Sequence, residues 1–264
     1  MNEYYIPNDR KQMKRDAKAA MRAHRPSVYL VAIVYLAITL VLDWLSRKLQ
    51  FPGISTQMLM SAMNDPEAIQ RIYLTVAENR SAFGSLLSVA ISIMDLMLAG
   101  GFTFFCLCVA RRLEAGFGSL FEMFGWFFRF LWLNILIAIF TFLWSLLLIV
   151  PGIIAAYRYS MAIYIFFDDP EKGALDCIRE SKAMTNGYKG KLFVLDLSFI
   201  GWHLLSIIPF VSIYTAPYYG VTKANFYRTL RGEFYGQQQA QQGPWGGSGG
   251  YGGNPYGGSG WGQQ

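Results

Sequence analysis

Charge is what this sequence has least of. Only 15% of its 264 residues are Asp, Glu, Lys or Arg, where soluble domains carry about a quarter. That is too little polar side chain to clothe a water-facing surface. Histidine is nearly absent: His24 and His203 are the two in the chain, which leaves little for imidazole acid–base chemistry or zinc ligation. Of the three cysteines, Cys106 and Cys108 stand two apart in an apolar stretch and Cys177 lies far off, so neither a disulfide framework nor a metal-ligand spacing exists. Outside the Gly-rich tail there is no glycine-rich phosphate loop and no G-x-S-x-G, and the chain has no H-x-x-E-H. No catalytic set, cofactor or metal is expected, and the chain reads as non-enzymatic.

What fills the space is hydrocarbon. The run LWLNILIAIFTFLWSLLLIV, residues 131–150, has no ionisable group across twenty positions. About 20 apolar residues at ~1.5 Å rise each cross a ~30 Å hydrocarbon core. The sequence therefore predicts an all-α polytopic transmembrane helical bundle with about six spans, near 28–45, 88–110, 131–150, 153–167, 192–209 and 213–230. The last is polar for a lipid-facing helix, and a five-span fold with the C-terminus outside is the alternative. The net charge of +6 fits the basic excess of cytoplasmic loops better than a nucleic-acid partner. With both termini inside, the cytoplasmic pieces hold seven, three, five and two Lys/Arg against four in the long outer loop.

Three further pieces are expected to lie on the inner face. Residues 1–27 carry the basic helix DRKQMKRDAKAAMRAHR, suited to anionic headgroups. GFGSLFEMFGWFFRF, residues 116–130, has Phe117, Leu120, Phe121, Phe124 and Phe128 at helical spacing and predicts an amphipathic interfacial helix or an inward extension of span three. Asp168-Asp169-Pro170-Glu171 predicts a cap and acidic first turn for a helix running to about Met184, stopped by Asn186-Gly187; a metal or headgroup site is the other reading of that acidic pair. Span three is expected to end at Pro151-Gly152, Asn64-Asp65-Pro66 to start a helix, and Ala99-Gly100-Gly101 to admit a close neighbour. From residue 232 to 264 the chain is Gly, Gln and aromatic-rich, and disorder is expected.

Five titratable residues fall inside predicted spans: Asp95, Arg158, Asp196, His203 and Lys223. Such groups are costly in lipid and face protein or water. Equal depth and opposite sign suggest the ion pairs Asp95–Arg158 and Asp196–Lys223. Asp196 and His203, seven apart, share one helix face. These groups either fix helix register or line an ion or proton path.

RDAKAAMRAHRP, SMAIYIFFDDP, ESKAMTNGYKGKLFVLDLSFIGWHLL and APYYGVTKANFYRTL resemble the domain of unknown function 975 family of bacterial integral membrane proteins. The resemblance spans about Asp9 to Arg231, and its motif positions are Ser181, Lys182, Gly187, Lys189, Phe193, Ser198, Gly201 and Trp202. More distantly, IVPGIIAAYRYSMA looks like the membrane domain of some glycerophosphodiesterases. The resemblance implies a multi-pass bacterial plasma-membrane protein and no catalytic residues. Structural roles account for the motif: Gly187 ends a helix, Lys189 and Lys191 reach headgroups, and Ser198 and Gly201 permit close helix contact. The expected partners are the bilayer, other membrane proteins or further copies of the chain. The expected role is a membrane accessory or scaffold, with small-solute or ion transport as the alternative.

Overall fold

The computed structural model describes residues 10–50, 82–206 and 209–241, with scattered positions between 60 and 74. Among these residues there are helices and no strands, as hydrocarbon requires of a backbone that must satisfy its own amides. Four helical runs are long and apolar enough to cross a bilayer: Val28–Gln50, Ala82–Ala110, Phe117–Leu147 and Ile149–Asp168. The two remaining expected spans have a different form, described below.

Helix α1 (Arg10–Ala23) is amphipathic as predicted, but its apolar stripe is not spent on lipid. Met13, Ala17, Ala20 and Met21 are buried against the bundle, chiefly the last helix, while Arg15, Lys18 and Arg22 stay exposed. Helix α2 (Val28–Gln50) follows a break at Pro26 and pairs with α3 (Ala82–Ala110), where Tyr35 stacks on Phe102 at 4.3 Å. Between them, at the expected helix start, the Asp65 carboxylate accepts the Glu67 amide at 2.9 Å.

The glycine pair of α3 does what its sequence suggests. A Cβ on Gly101 would stand 2.0 Å from the Leu120 carbonyl oxygen, and one on Gly100 would stand 2.5 Å from the Phe130 ring. What presses on them is not the expected amphipathic α-helix. Residues 116–126 form two 3-10 turns, Phe117–Leu120 and Glu122–Trp126, because Gly116, Gly118 and Gly125 weaken helix propagation and the backbone of Leu120 must dip onto Gly101. Leu120 and Met123 are buried inward, while Phe117, Phe121, Phe124 and Phe128 remain exposed.

Helix α4 (Phe127–Leu147) and helix α5 (Ile149–Tyr159) form a tight hairpin. The break is at Leu148, three residues before the expected Pro151-Gly152. Pro151 instead occupies the first turn of α5, where no amide donor is needed, and Gly152 lets α5 approach Ser145 of α4. Span four then breaks at Ser160-Met161 before α6 (Ala162–Asp168).

Helix α7 (Ala174–Met184) starts after Gly173, so the acidic pair does not cap it; the Asp169 carboxylate takes only the Glu171 amide, at 3.2 Å. The stop at Gly187 is as expected, with φ +83°. The apolar stretch 192–209 is not one helix. It divides into α8 (Lys189–Leu197) and α9 (Ile200–Leu205) at Ser198-Phe199. Lys14 of α1 donates to the freed Ser198 carbonyl at 3.3 Å and sits 4.1 Å over the Phe199 ring. Burial there, with Arg10 and Lys18 nearby, holds the Lys14 ammonium below the usual lysine range.

Helix α10 (Pro209–Gln241) takes in the sixth expected span and continues ten residues past Arg231, into the segment expected to be disordered. Phe234 packs on the core and the Tyr235 hydroxyl donates to Glu180 at 2.5 Å, which gives the extension partners. The rest of the Gly/Gln-rich tail lies outside the described residues.

Candidate functional site

Helix α10 crosses the bundle with its polar residues facing inward. Tyr219 and Lys223 lie one turn apart, so both point to the same side. There the Tyr219 hydroxyl donates to the Asp196 carboxylate at 3.0 Å, and the Lys223 ammonium donates to the Tyr219 oxygen at 3.3 Å. The expected Asp196–Lys223 partnership is thus a relay through a phenol rather than a direct ion pair. Tyr157 of α5 approaches the same carboxylate. His203 meets Tyr219 edge to face, with ring centroids 5.1 Å apart.

Lys223 and His203 open onto a cavity of about 460 Å³ walled by α2, α3, α5–α6, α9 and α10. That lies within the ~300–1,000 Å³ usual for small-ligand sites. Tyr35, Tyr164 and Tyr219 line it with Ser160, Ser206, Ser212, Thr103 and Thr215. Most of these aliphatic hydroxyls already donate to the backbone: Thr103 to Ala99 at 2.8 Å, Ser212 to Ser206 at 2.8 Å and Thr215 to Val211 at 2.9 Å. With their single protons committed, they offer lone pairs to the cavity. Gly220 closes this wall, since a Cβ there would stand 2.6 Å from the Cys106 sulfur.

Asp95 and Arg158 are not brought together. Asp95 Oδ1 and Arg158 Nε are each buried without a hydrogen-bond partner. The reason is topological: α5 packs chiefly on α4, whereas Asp95 looks from α3 toward Tyr35 and Asp43 of α2. Asp168, expected as part of a helix cap, instead holds a network of its own. The Asp168 carboxylate, 5% exposed, accepts from Arg111, Arg231 and Tyr227, the last at 2.5 Å. It ties the ends of α3, α6 and α10 together.

The motif positions divide by role. Ser181, fully buried, plugs the α5–α6 break: it accepts the Met161 amide at 3.2 Å and donates to the Arg158 carbonyl at 2.8 Å. The Thr185 hydroxyl donates to the Ser181 carbonyl at 2.8 Å and lies 3.3 Å from the Arg158 carbonyl. Lys182 is exposed, while Lys189 and Lys191 are half-buried at the start of α8. Phe193 meets Tyr157 edge to face at 5.9 Å, and Trp202 packs on Tyr214 at 5.7 Å. Ser198 donates to the Leu195 carbonyl at 2.5 Å, at the α8–α9 break rather than between helices. Gly201 faces open space, so close helix contact is not its role. Cys177, on α7, is buried, which pushes its thiol up to about 11 and keeps it protonated at neutral pH.

Residues 145–233 match the family model described as protein of unknown function (DUF975). The match runs from the end of α4 into α10 and takes in Ser181, Asp168, Asp196, Tyr219 and Lys223; the N-terminal motif and α2–α3 lie outside it. No curated protein and no solved structure matches the chain, and the likeness to the glycerophosphodiesterase membrane domain is not shown.

Proposed function

Starting from a segment, 145–233, that belongs to the DUF975 family, we propose that this chain is a multi-pass plasma-membrane protein that takes a small polar solute into the α9–α10 cavity. We read it as a carrier or receptor and not as an enzyme. One observation carries the reading: a cavity lined by Lys223, His203 and a set of hydroxyls, set among helices otherwise packed on apolar side chains. A half-open volume of this size with hydroxyls and an ammonium on its walls gives a small solute both access and hydrogen-bond partners. The Asp196–Tyr219–Lys223 relay joins the cavity's ammonium to a carboxylate through one phenol.

Arg111, Arg112, Arg129, Lys172 and Arg231 gather at the end where α3, α6 and α10 are tied. That concentration supports a cytoplasmic placement for this end and for both termini. A scaffold role is the second reading, favoured by the exposed Phe117, Phe121, Phe124 and Phe128.

Thermal unfolding of the detergent-purified protein against a panel of small organic acids and phosphates tests the proposal. A ligand present at 100 times its Kd stabilises by about 2.7 kcal/mol, and Lys223→Gln should abolish that gain while expression holds. If no solute shifts the transition and polar changes at Phe121 and Phe124 instead release a co-purifying membrane protein, the scaffold reading replaces this one.

A further inference from the structure

The polar cavity does not stand alone. A second volume of about 560 Å³ lies between α3, α4 and α5–α6, lined by Leu96, Ile135, Ile137, Ala138 and Ala156 with few polar atoms. Ser160 and Ile163 line both volumes. An apolar groove along the α4–α5 hairpin therefore abuts the more polar chamber at the α5–α6 break, which Ser181 bridges. Beside it, α4 exposes Ile135 and Ile139.

The chemistry of the two halves differs in a specific way. The polar half offers one ammonium, Lys223, with phenols at Tyr35 and Tyr164 and a ring of hydroxyl lone pairs at Ser160, Ser206, Ser212, Thr103 and Thr215. The carboxylate nearest Lys223, Asp196, is already held by Tyr219. A cation finds repulsion here. A simple anion uses the lysine and leaves the hydroxyl acceptors idle. An acid group that also carries hydroxyls uses both, its anionic oxygens on Lys223 and its O–H donors on the serine and threonine lone pairs. The apolar half suits a hydrocarbon chain, whose burial is favourable by area alone.

We propose that the two volumes together form one site for an anionic amphiphile, with a hydroxyl-bearing acid headgroup at Lys223 and an acyl chain in the α3–α4–α5 groove. This rests on the solute-binding reading above and names its ligand class. Ile163 stands where headgroup and chain join. Ala138, exposed in the groove, marks the chain's path without belonging to the core.

Native mass spectrometry of the full-length protein in a neutral detergent separates the possibilities with three probes: myristoyl lysophosphatidylglycerol, myristoyl lysophosphatidylcholine and glycerol phosphate. The expected result is preferential retention of the glycerol lysolipid over the choline one. Lys223→Gln should weaken its binding at least tenfold and Lys223→Arg should restore it. Ala138→Phe, which fills the groove from its open side, should weaken the lysolipid at least fivefold and leave glycerol phosphate unchanged. Equal binding of glycerol phosphate and the lysolipid, with no effect of Ala138→Phe, overturns the amphiphile and leaves the cavity reading standing. Binding of neither phosphate probe, or binding insensitive to Lys223→Gln in variants that unfold at the wild-type temperature, overturns both.

Discussion

At the scale of single residues, the molecule separates titratable groups that are connected from those that are stranded. Lys223 and Asp196 communicate only through the Tyr219 hydroxyl, so their coupling should depend on that atom. A double-mutant cycle of Asp196→Asn and Lys223→Gln, read by thermal unfolding in detergent, should give a coupling above about 0.5 kcal/mol, the scale at which distant sites cease to add. Repeating the cycle in Tyr219→Phe should bring it to the noise. A coupling that survives the loss of the hydroxyl would mean the charges meet directly. The sequence points to Asp196, His203 and Lys223 as inward-facing because lipid penalises them, and the structure puts Lys223 and His203 on the same cavity. It does not point to Tyr219, since a neutral phenol attracts no attention in a hydropathy reading. The one available signal is spacing: Tyr219 sits four residues before Lys223, on its helix face.

At the scale of elements, apolar runs are legible and breaks are not. The extents of α2, α3 and α4 fall close to what residue composition predicts, because each is decided locally by hydrocarbon length and flanking polar residues. The interruptions at Ser160-Met161 and Ser198-Phe199 depend on partners far away in the chain: Ser181 lies twenty residues beyond Met161, and Lys14 lies 184 residues before Ser198. Pairing by depth assumes straight, adjacent helices, and it fails for Asp95 and Arg158 for that reason. The exposed phenylalanines of 117–128 likewise follow the periodicity, while the glycines among them turn the backbone into 3-10 turns. Ser181 gives the test at this scale. Ser181→Ala strands the Met161 amide in a buried position, which should cost about 1–3 kcal/mol and lower the unfolding midpoint. Ser181→Thr keeps the hydroxyl and should recover part of the loss. An unchanged midpoint for Ser181→Ala would show that the break needs no plug.

For the whole molecule, the central contrast is between an outer face of exposed aliphatic side chains and a half-open chamber between helices that carries hydroxyls and Lys223. Leu143, Leu146 and Val150 form part of the outer face, and Ser212, Thr215 and Lys223 part of the chamber. The family match covers the portion that supplies most of the chamber wall, α5 to α10. The decisive measurement is thiol labelling in intact membranes by a charged, membrane-impermeant reagent, with Cys106, Cys108 and Cys177 replaced by Ala and single cysteines placed at Ser212 and Leu143. The account predicts that Ser212→Cys reacts and is protected by the bound amphiphile, while Leu143→Cys stays unlabelled. A Ser212→Cys protein as inert as Leu143→Cys, in folded protein, would contradict it.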